Sequence, residues 1–247
     1  MLAWINFITR LLNEWFGAPA DALITKLGIH PLHPGRPFNN TFTLELIVFT
    51  GLVLFFALVR ASLSVEKPGG AQHLAEMVHE FVVGQASSVM GHGFERFLPV
   101  ITCLGLFIVC LNCFGLFPGI DTPTANPVVP LGLALFTFVY YHFHGLRVQG
   151  FIGYLKHFMG PVWWLAPLMF PIEIISHFAR ILSLTVRLFA NMVASDMITL
   201  IFFSMIPFVL PILGLGLHLF VALIQAYIFM LLAMIYLGLA TEHAEAH

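Results

Sequence analysis

Glu173, Ser176, Arg180, Ser183, Arg187 and Asn191 follow one another at spacings of three or four residues. That spacing lines all six along one face of a helix. The segment is otherwise apolar, with Ile181, Leu182 and Leu184 before Arg187 and Met197 to Ile201 after it. A guanidinium keeps its proton at any ordinary pH, so Arg187 is a fixed positive charge in a stretch suited to lipid. Small polar residues can simply hold helices together inside a membrane, which accounts for the serines and Asn191. It does not account for Glu173, Arg180 and Arg187, because intramembrane charges line a pathway or pair with another group. A structural ion pair between Glu173 and Arg180, two turns apart, is the plainest alternative for those two.

Asp196 lies nine residues past Arg187, about 180° around a regular helix. It belongs to a second polar track on the other side of the same helix. Further on, His218, Gln225 and Tyr236 share one face, since their spacings are near-integral numbers of turns. Folding the chain back about residues 208–209 sets Gln225 level with Met192, beside Arg187 and Asn191. The same fold sets His218 level with Thr199, within reach of Asp196. A plainer reading of His218 is a satisfied buried imidazole.

The elements that must position these residues are membrane helices. Of 247 residues, 60% are hydrophobic and 9% charged, and mean hydropathy is +0.96. A soluble domain carries roughly 25% charged residues, so the chain is an integral membrane protein. A net charge of −2 lacks the basic footprint that nucleic acid requires. A span needs roughly 20 apolar residues; residues 42–60, 97–117 and 127–146 each qualify. Residues 70–90 repeat Leu74, Met77, Val78, Phe81 and Val82 at helical spacing, with Gln72, Glu76 and Glu80 elsewhere on the wheel. That pattern describes an interfacial helix. Leu2, Ile5, Ile8, Leu12 and Trp15 describe another, within an N-terminal segment 1–41. Residues 168–206 and 211–240 are too long for an upright span, and Pro207 and Pro211 bracket a turn between them. The expectation is therefore one all-α polytopic bundle. It has about five membrane-embedded helices, including a long tilted hairpin over 168–240, and an amphipathic helix at the surface.

Arg60, Lys67, Arg96, Arg147 and Lys156 fall on one side of the spans, whereas "PGIDTPTAN" carries no Lys or Arg. The positive-inside bias makes the former side cytoplasmic, with the N-terminus outside and the C-terminus inside. Arg10, Lys26 and Arg36 on the outer side run against that assignment. Cys103, Cys110 and Cys113 sit in one apolar run and read as small core thiols rather than a metal or redox pair. A haem- or quinone-binding subunit of a respiratory complex is the main competing function, on the strength of twelve histidines. His177 and His218 are its candidates on the hairpin. "HPLH" at 30–33 and "HFH" at 142–144 have metal-ligand residues, but the first lies in a proline-containing loop and the second ends a span, and no metal or cofactor is expected. A self-contained transporter would show two similar halves, and no P-loop motif is present.

"SLTVRLFANMVASD", followed some thirty residues later by "QAYIFMLLAMIYL", closely resembles subunit a of F-type ATP synthases. The likeness extends from "FNNTFTLELI" through "PGIDTPTAN" to the C-terminus. What the resemblance implies is a non-catalytic stator that provides two offset half-channels for protons beside a rotating ring of c subunits. Arg187 matches the family's essential arginine, Asn191 its asparagine one turn on, and Gln225 its glutamine. Asp196 and His218 match its outer-side pair, with an aspartate where glutamate is frequent. Glu173, Ser176, Arg180 and Ser183 match its inner-side positions. The implied partners are the c-ring proteolipids, the subunit b peripheral stalk, the remainder of the F-type enzyme and membrane lipid. The implied location is a bacterial plasma membrane.

Overall fold

The computed structural model describes residues 2–26, 36–64, 69–91, 93–117, 119–159, 166–205 and 210–241. His30, His33, Lys67 and the turn at Pro207 lie outside the described residues, as does the side chain of Lys156. Among the described residues, seven α-helices follow in order: α1 Leu2–Lys26, α2 Asn40–Ala61, α3 Gly70–Met90, α4 Leu98–Cys113, α5 Val128–Met159, α6 Ala166–Met205 and α7 Leu210–Thr241. Short 3-10 turns at Phe94–Arg96, Phe114–Leu116 and Pro123–Ala125 join them. Five helical stretches are long and apolar enough to cross a membrane: Asn40–Ala61, Leu98–Leu116, Val128–Gly150, Pro167–Met205 and Leu210–Thr241. The chain is an all-α integral membrane protein. At 40 residues, α6 extends about 60 Å. That is twice the hydrocarbon thickness of roughly 30 Å, so a helix that stays within the bilayer must run obliquely.

The α6–α7 hairpin packs against α4 and α5. Its core combines Leu104 and Ile108 of α4, Leu184, Leu188 and Met192 of α6, and Phe229 of α7. Burial on α6 is one-sided. His177, Leu184, Leu188, Met192, Ser195 and Thr199 are buried, while Ile175, Phe178, Leu182, Val186 and Leu200 remain exposed. An apolar exposed face is stable here because lipid, not water, is its solvent. Helix α5 breaks at Gly150, whose φ of 71° and ψ of 163° are non-helical. A side chain would be strained at that φ, so glycine marks where the fifth helix turns off its axis.

Helices α1 and α3 dock on the bundle through only part of their apolar stripes. On α1 the buried residues are Ile5, Thr9 and Gly17, whereas Trp4 and Trp15 are exposed. Thr9 reaches Thr43 at 2.8 Å and donates to the Asn40 carbonyl oxygen of its amide at 2.9 Å, and Asn13 donates to the Phe38 carbonyl at 3.0 Å. Polar groups that satisfy one another make this contact with α2 cheap to bury, so the aromatic side is left facing outward. On α3, Gln72 is buried, exchanging hydrogen bonds with the Ser64 backbone and donating to Glu76 at 2.7 Å. Val82 and Ala86 enter the core, and Leu74, Met77 and Phe81 stay outside.

Ile108 is fully buried between α4 and the hairpin. Ile108→Ala should cost about 2–5 kcal/mol, read as earlier thermal unfolding in detergent, whereas Leu200→Ala on the exposed face should cost little. Equal losses for the two would contradict the one-sided core.

Candidate functional site

Two polar clusters occupy opposite ends of the α6–α7 hairpin. The first centres on His218, which is fully buried. Its Nε2 lies 3.0 Å from the Asn112 carbonyl. A carbonyl can only accept, so Nε2 carries a proton and donates. In the neutral ring Nδ1 is then an acceptor, and the Ser195 hydroxyl is 2.9 Å from it. The Asp196 carboxylate lies 3.3 Å from the same Nδ1. A second proton on the ring converts Nδ1 into a donor facing a carboxylate. The ring therefore has two hydrogen-bonded states that differ by one proton, each with a partner at Nδ1.

Besides Ser195, three residues outside the sequence-derived set hold this arrangement. Thr122 donates to Asp196 at 2.9 Å. Thr124 donates to the Asn112 side-chain oxygen at 2.6 Å, and the Asn112 amide donates to the Ala222 carbonyl at 3.4 Å. Both threonines come from the connection between α4 and α5, which the sequence marks only as a Pro-rich outer loop. Asn112 lies inside an apolar run and, like Thr122 and Thr124, has no titratable group to attract notice. A Cβ built on Gly115 would collide with the Thr122 hydroxyl and stand 2.5 Å from the His218 ring. Glycine is what lets α4, the loop and α7 meet there.

The second cluster lies toward the N-terminal end of α6. His177 is buried, with Nδ1 2.8 Å from the Glu173 carbonyl and 3.4 Å from the Glu173 carboxylate. Arg180 sits 5.0 Å over the ring of Tyr236, a cation–π contact. Glu173 pairs with His177, and no Glu173–Arg180 ion pair occurs among the described residues. Ser176 is half-buried and Ser183 is exposed. The six-residue stripe thus runs along a flank of α6, between its buried and exposed faces.

Between the clusters, Asn191 donates to the Gln225 side-chain oxygen at 2.6 Å, and Gln225 is buried. This bond fixes the register of the hairpin one turn from Arg187. The Arg187 side chain is half-buried, and among the described residues neither a hydrogen bond nor an ion pair holds its guanidinium. By residue count it stands about 15 Å along the helix from His177 and about 14 Å from Asp196. A permanent charge with two polar clusters on either side and no anion of its own is suited to meeting an anion supplied from outside the chain. No group of three or more His, Cys, Asp or Glu residues among the described residues is arranged to hold a metal ion.

The ATP synthase A chain family matches this sequence over residues 42–238. ATP synthase subunit a of Koribacter versatilis (strain Ellin345) is 52% identical over 239 residues, covering 97% of this chain and 98% of the relative. The subunit a of Solibacter usitatus (strain Ellin6076) is 41% identical, covering 94% of this chain and 99% of the relative. That of Campylobacter jejuni subsp. doylei is 40% identical, covering 85% and 95%.

Gly115→Ala should destabilise the protein by about 1–3 kcal/mol through overpacking, measured as a lower thermal midpoint in detergent. Gly132→Ala, where a Cβ meets nothing within 4 Å, should not. A Gly115→Ala protein as stable as wild type would mean that the loop and α7 do not meet as closely as described.

Proposed function

Because the chain belongs to the ATP synthase A chain family, we propose that it is the proton-channel subunit of an F-type ATP synthase. In this reading it forms two offset half-channels against a ring of c subunits, held by the subunit b stalk and the rest of the enzyme in a bacterial plasma membrane. Its N-terminus is outside and its C-terminus cytoplasmic. The observation that carries the proposal is the solitary Arg187, half-buried between two polar clusters on a helix whose outer face is apolar.

Each ring subunit presents a carboxyl group that must be neutral while it faces lipid. Opposite Arg187 the carboxylate is favoured, by about 4 kcal/mol at 4 Å with an effective dielectric of 20. That corresponds to roughly three pKa units, enough to release the proton. Asn191 and Gln225, bonded to each other, fix the hairpin's register one turn from the guanidinium. The Asp196–His218 pair serves the outer half-channel: the imidazole takes a proton at Nδ1, is stabilised by Asp196, and passes it on. Thr122 holds Asp196 in position from the loop, which supports a role for a carboxylate one methylene shorter than glutamate. Glu173, Ser176, Arg180 and Ser183 serve the inner half-channel. The fixed charge repels protons from crossing directly between the two, so ring rotation is the conducting route. Each proton crossing contributes about 2.3 kcal/mol per 100 mV.

Arg187→Lys or Arg187→Ala should abolish ATP-driven proton pumping in vesicles while leaving assembly intact, and Arg187→Ala should admit a passive leak. Pumping near the wild-type rate would remove Arg187 from the mechanism. Sidedness is tested separately, with Cys103, Cys110 and Cys113 replaced. Single cysteines at Ser176 and Ser183 should react with a thiolate-selective reagent from the cytoplasmic face, and cysteines at Asp196 and His218 from the outer face. Labelling of all four from one side would indicate a continuous vestibule and defeat the two-channel reading.

A further inference from the structure

Helix α1 meets the rest of the molecule through a polar row and an apolar end. Asn6, Thr9 and Asn13, spaced by three and four residues, share one face of the helix. All three are bonded to the segment that opens α2. The Asn40 amide donates to the Asn6 side-chain oxygen at 2.8 Å, Thr9 reaches both Asn40 and Thr43, and Asn13 exchanges two 3.0 Å hydrogen bonds with the Phe38 backbone. Beside that row, Ile5 is buried against Leu44 of α2 and Ile120 of the α4–α5 connection, with Phe114 packed on the cluster. Leu2 Cδ1 comes within 3.6 Å of the position a Cβ would take at Gly119. Ile120 stands two residues before Thr122, which is buried and donates to Asp196 at 2.9 Å. The Thr122 carbonyl opens the turn Pro123–Ala125 by accepting from the Ala125 amide at 2.9 Å. Residues 119–122 are thus held by α1 at one end and by Asp196 and the turn at the other. A loop is only as fixed as the side chains packed on it, and a hydrogen bond weakens steeply once its distance and angle drift.

We propose that α1 is a clamp for the outer half-channel, with Ile5 and Ile120 as positioning residues for Asp196. This inference rests on the outer half-channel reading of Asp196 and His218. The polar row fixes α1 on α2, Ile5 and Leu44 fix Ile120, and Ile120 sets the level of the Thr122 hydroxyl. The Asp196 oxygen that accepts from Thr122 is the same oxygen that stands 3.3 Å from His218 Nδ1. One hydrogen bond from the loop therefore aims the carboxylate at the imidazole. With the clamp loosened, the hydroxyl draws away and the aspartate side chain turns about its torsions off Nδ1. The proton handover slows, although both proton-handling residues are still present.

The test uses the assembled ATP synthase in inverted membrane vesicles. ATP-driven pumping is measured per assembled complex, with the amount of complex determined separately. Ile5→Ala should slow pumping by roughly three- to tenfold, the range that one hydrogen bond commands. Ile5→Val, which keeps the β-branch, should restore it, and Trp15→Ala, exposed on the same helix, should leave it unchanged. Thr122→Val removes the hydroxyl and should slow pumping to a similar extent. Because Ile5 acts through Thr122, the double variant Ile5→Ala/Thr122→Val should be no slower than Thr122→Val alone. Ile120→Ala reaches the clamp from the loop side and decides the matter if Ile5→Ala does not assemble. Fewer complexes that each pump at the wild-type rate would overturn the proposal, as would a loss that multiplies with that of Thr122→Val. Asp196→Leu, measured alongside, separates the two levels. If it pumps like wild type, the outer half-channel reading fails and the clamp with it. If it slows pumping while Ile5→Ala and Ile120→Ala do not, only the clamp is disproved.

Discussion

A guanidinium on a long apolar helix has to be matched by an anion, and none is placed against Arg187 among the described residues. Arg187 is left half-buried, with Asn191 and Gln225 bonded to each other nearby instead of to it. Much of the surrounding structure follows from keeping that charge in place and unpaired. Leu184, Leu188 and Met192 lock the adjoining buried side of α6 into the bundle. The Asn191–Gln225 bond prevents α7 from sliding by a turn. The acidic residues that could neutralise the arginine are committed elsewhere: Glu173 to His177 and Asp196 to His218 and Thr122.

The two clusters achieve different things with the same residue type. His218 is enclosed by groups from three elements and has a defined partner for each of its protonation states. His142 and His177 each place Nδ1 against a backbone carbonyl of their own helix and meet edge to face across α5 and α6.

Membrane helices and the polar stripe were legible in the sequence because both are periodic signals: apolar runs long enough to span, and charges three or four residues apart inside one of them. The level of His218 with Asp196, and of Gln225 with Asn191, followed from counting outward from the turn. Less legible were contacts made by residues with no charge and no period. Asn112, Thr122, Thr124 and Ser195 enter the His218 cluster through tertiary packing, and Gly115 through the space it leaves empty. The face that α1 would turn inward was also concealed. Its hydrophobic stripe described a helix lying on a membrane face; Ile5 of that stripe packs on Leu44, and beside it matched threonine and asparagine groups bond α1 to α2.

Glu173 and Asp196 sit 23 positions apart on one helix, which fixes the angle between them at about 140°. Losing one residue between them would rotate Asp196 by about 100°, toward the side occupied by Ser195 and the core. Gaining one would swing it the other way, onto the lipid side shared by Met197. In either case one cluster loses its carboxylate while the other is untouched. Point changes can be absorbed one side chain at a time, but the length of this stretch cannot drift. Chains descended from a common ancestor should therefore differ here by substitution alone, with insertions and deletions confined to segments outside α6.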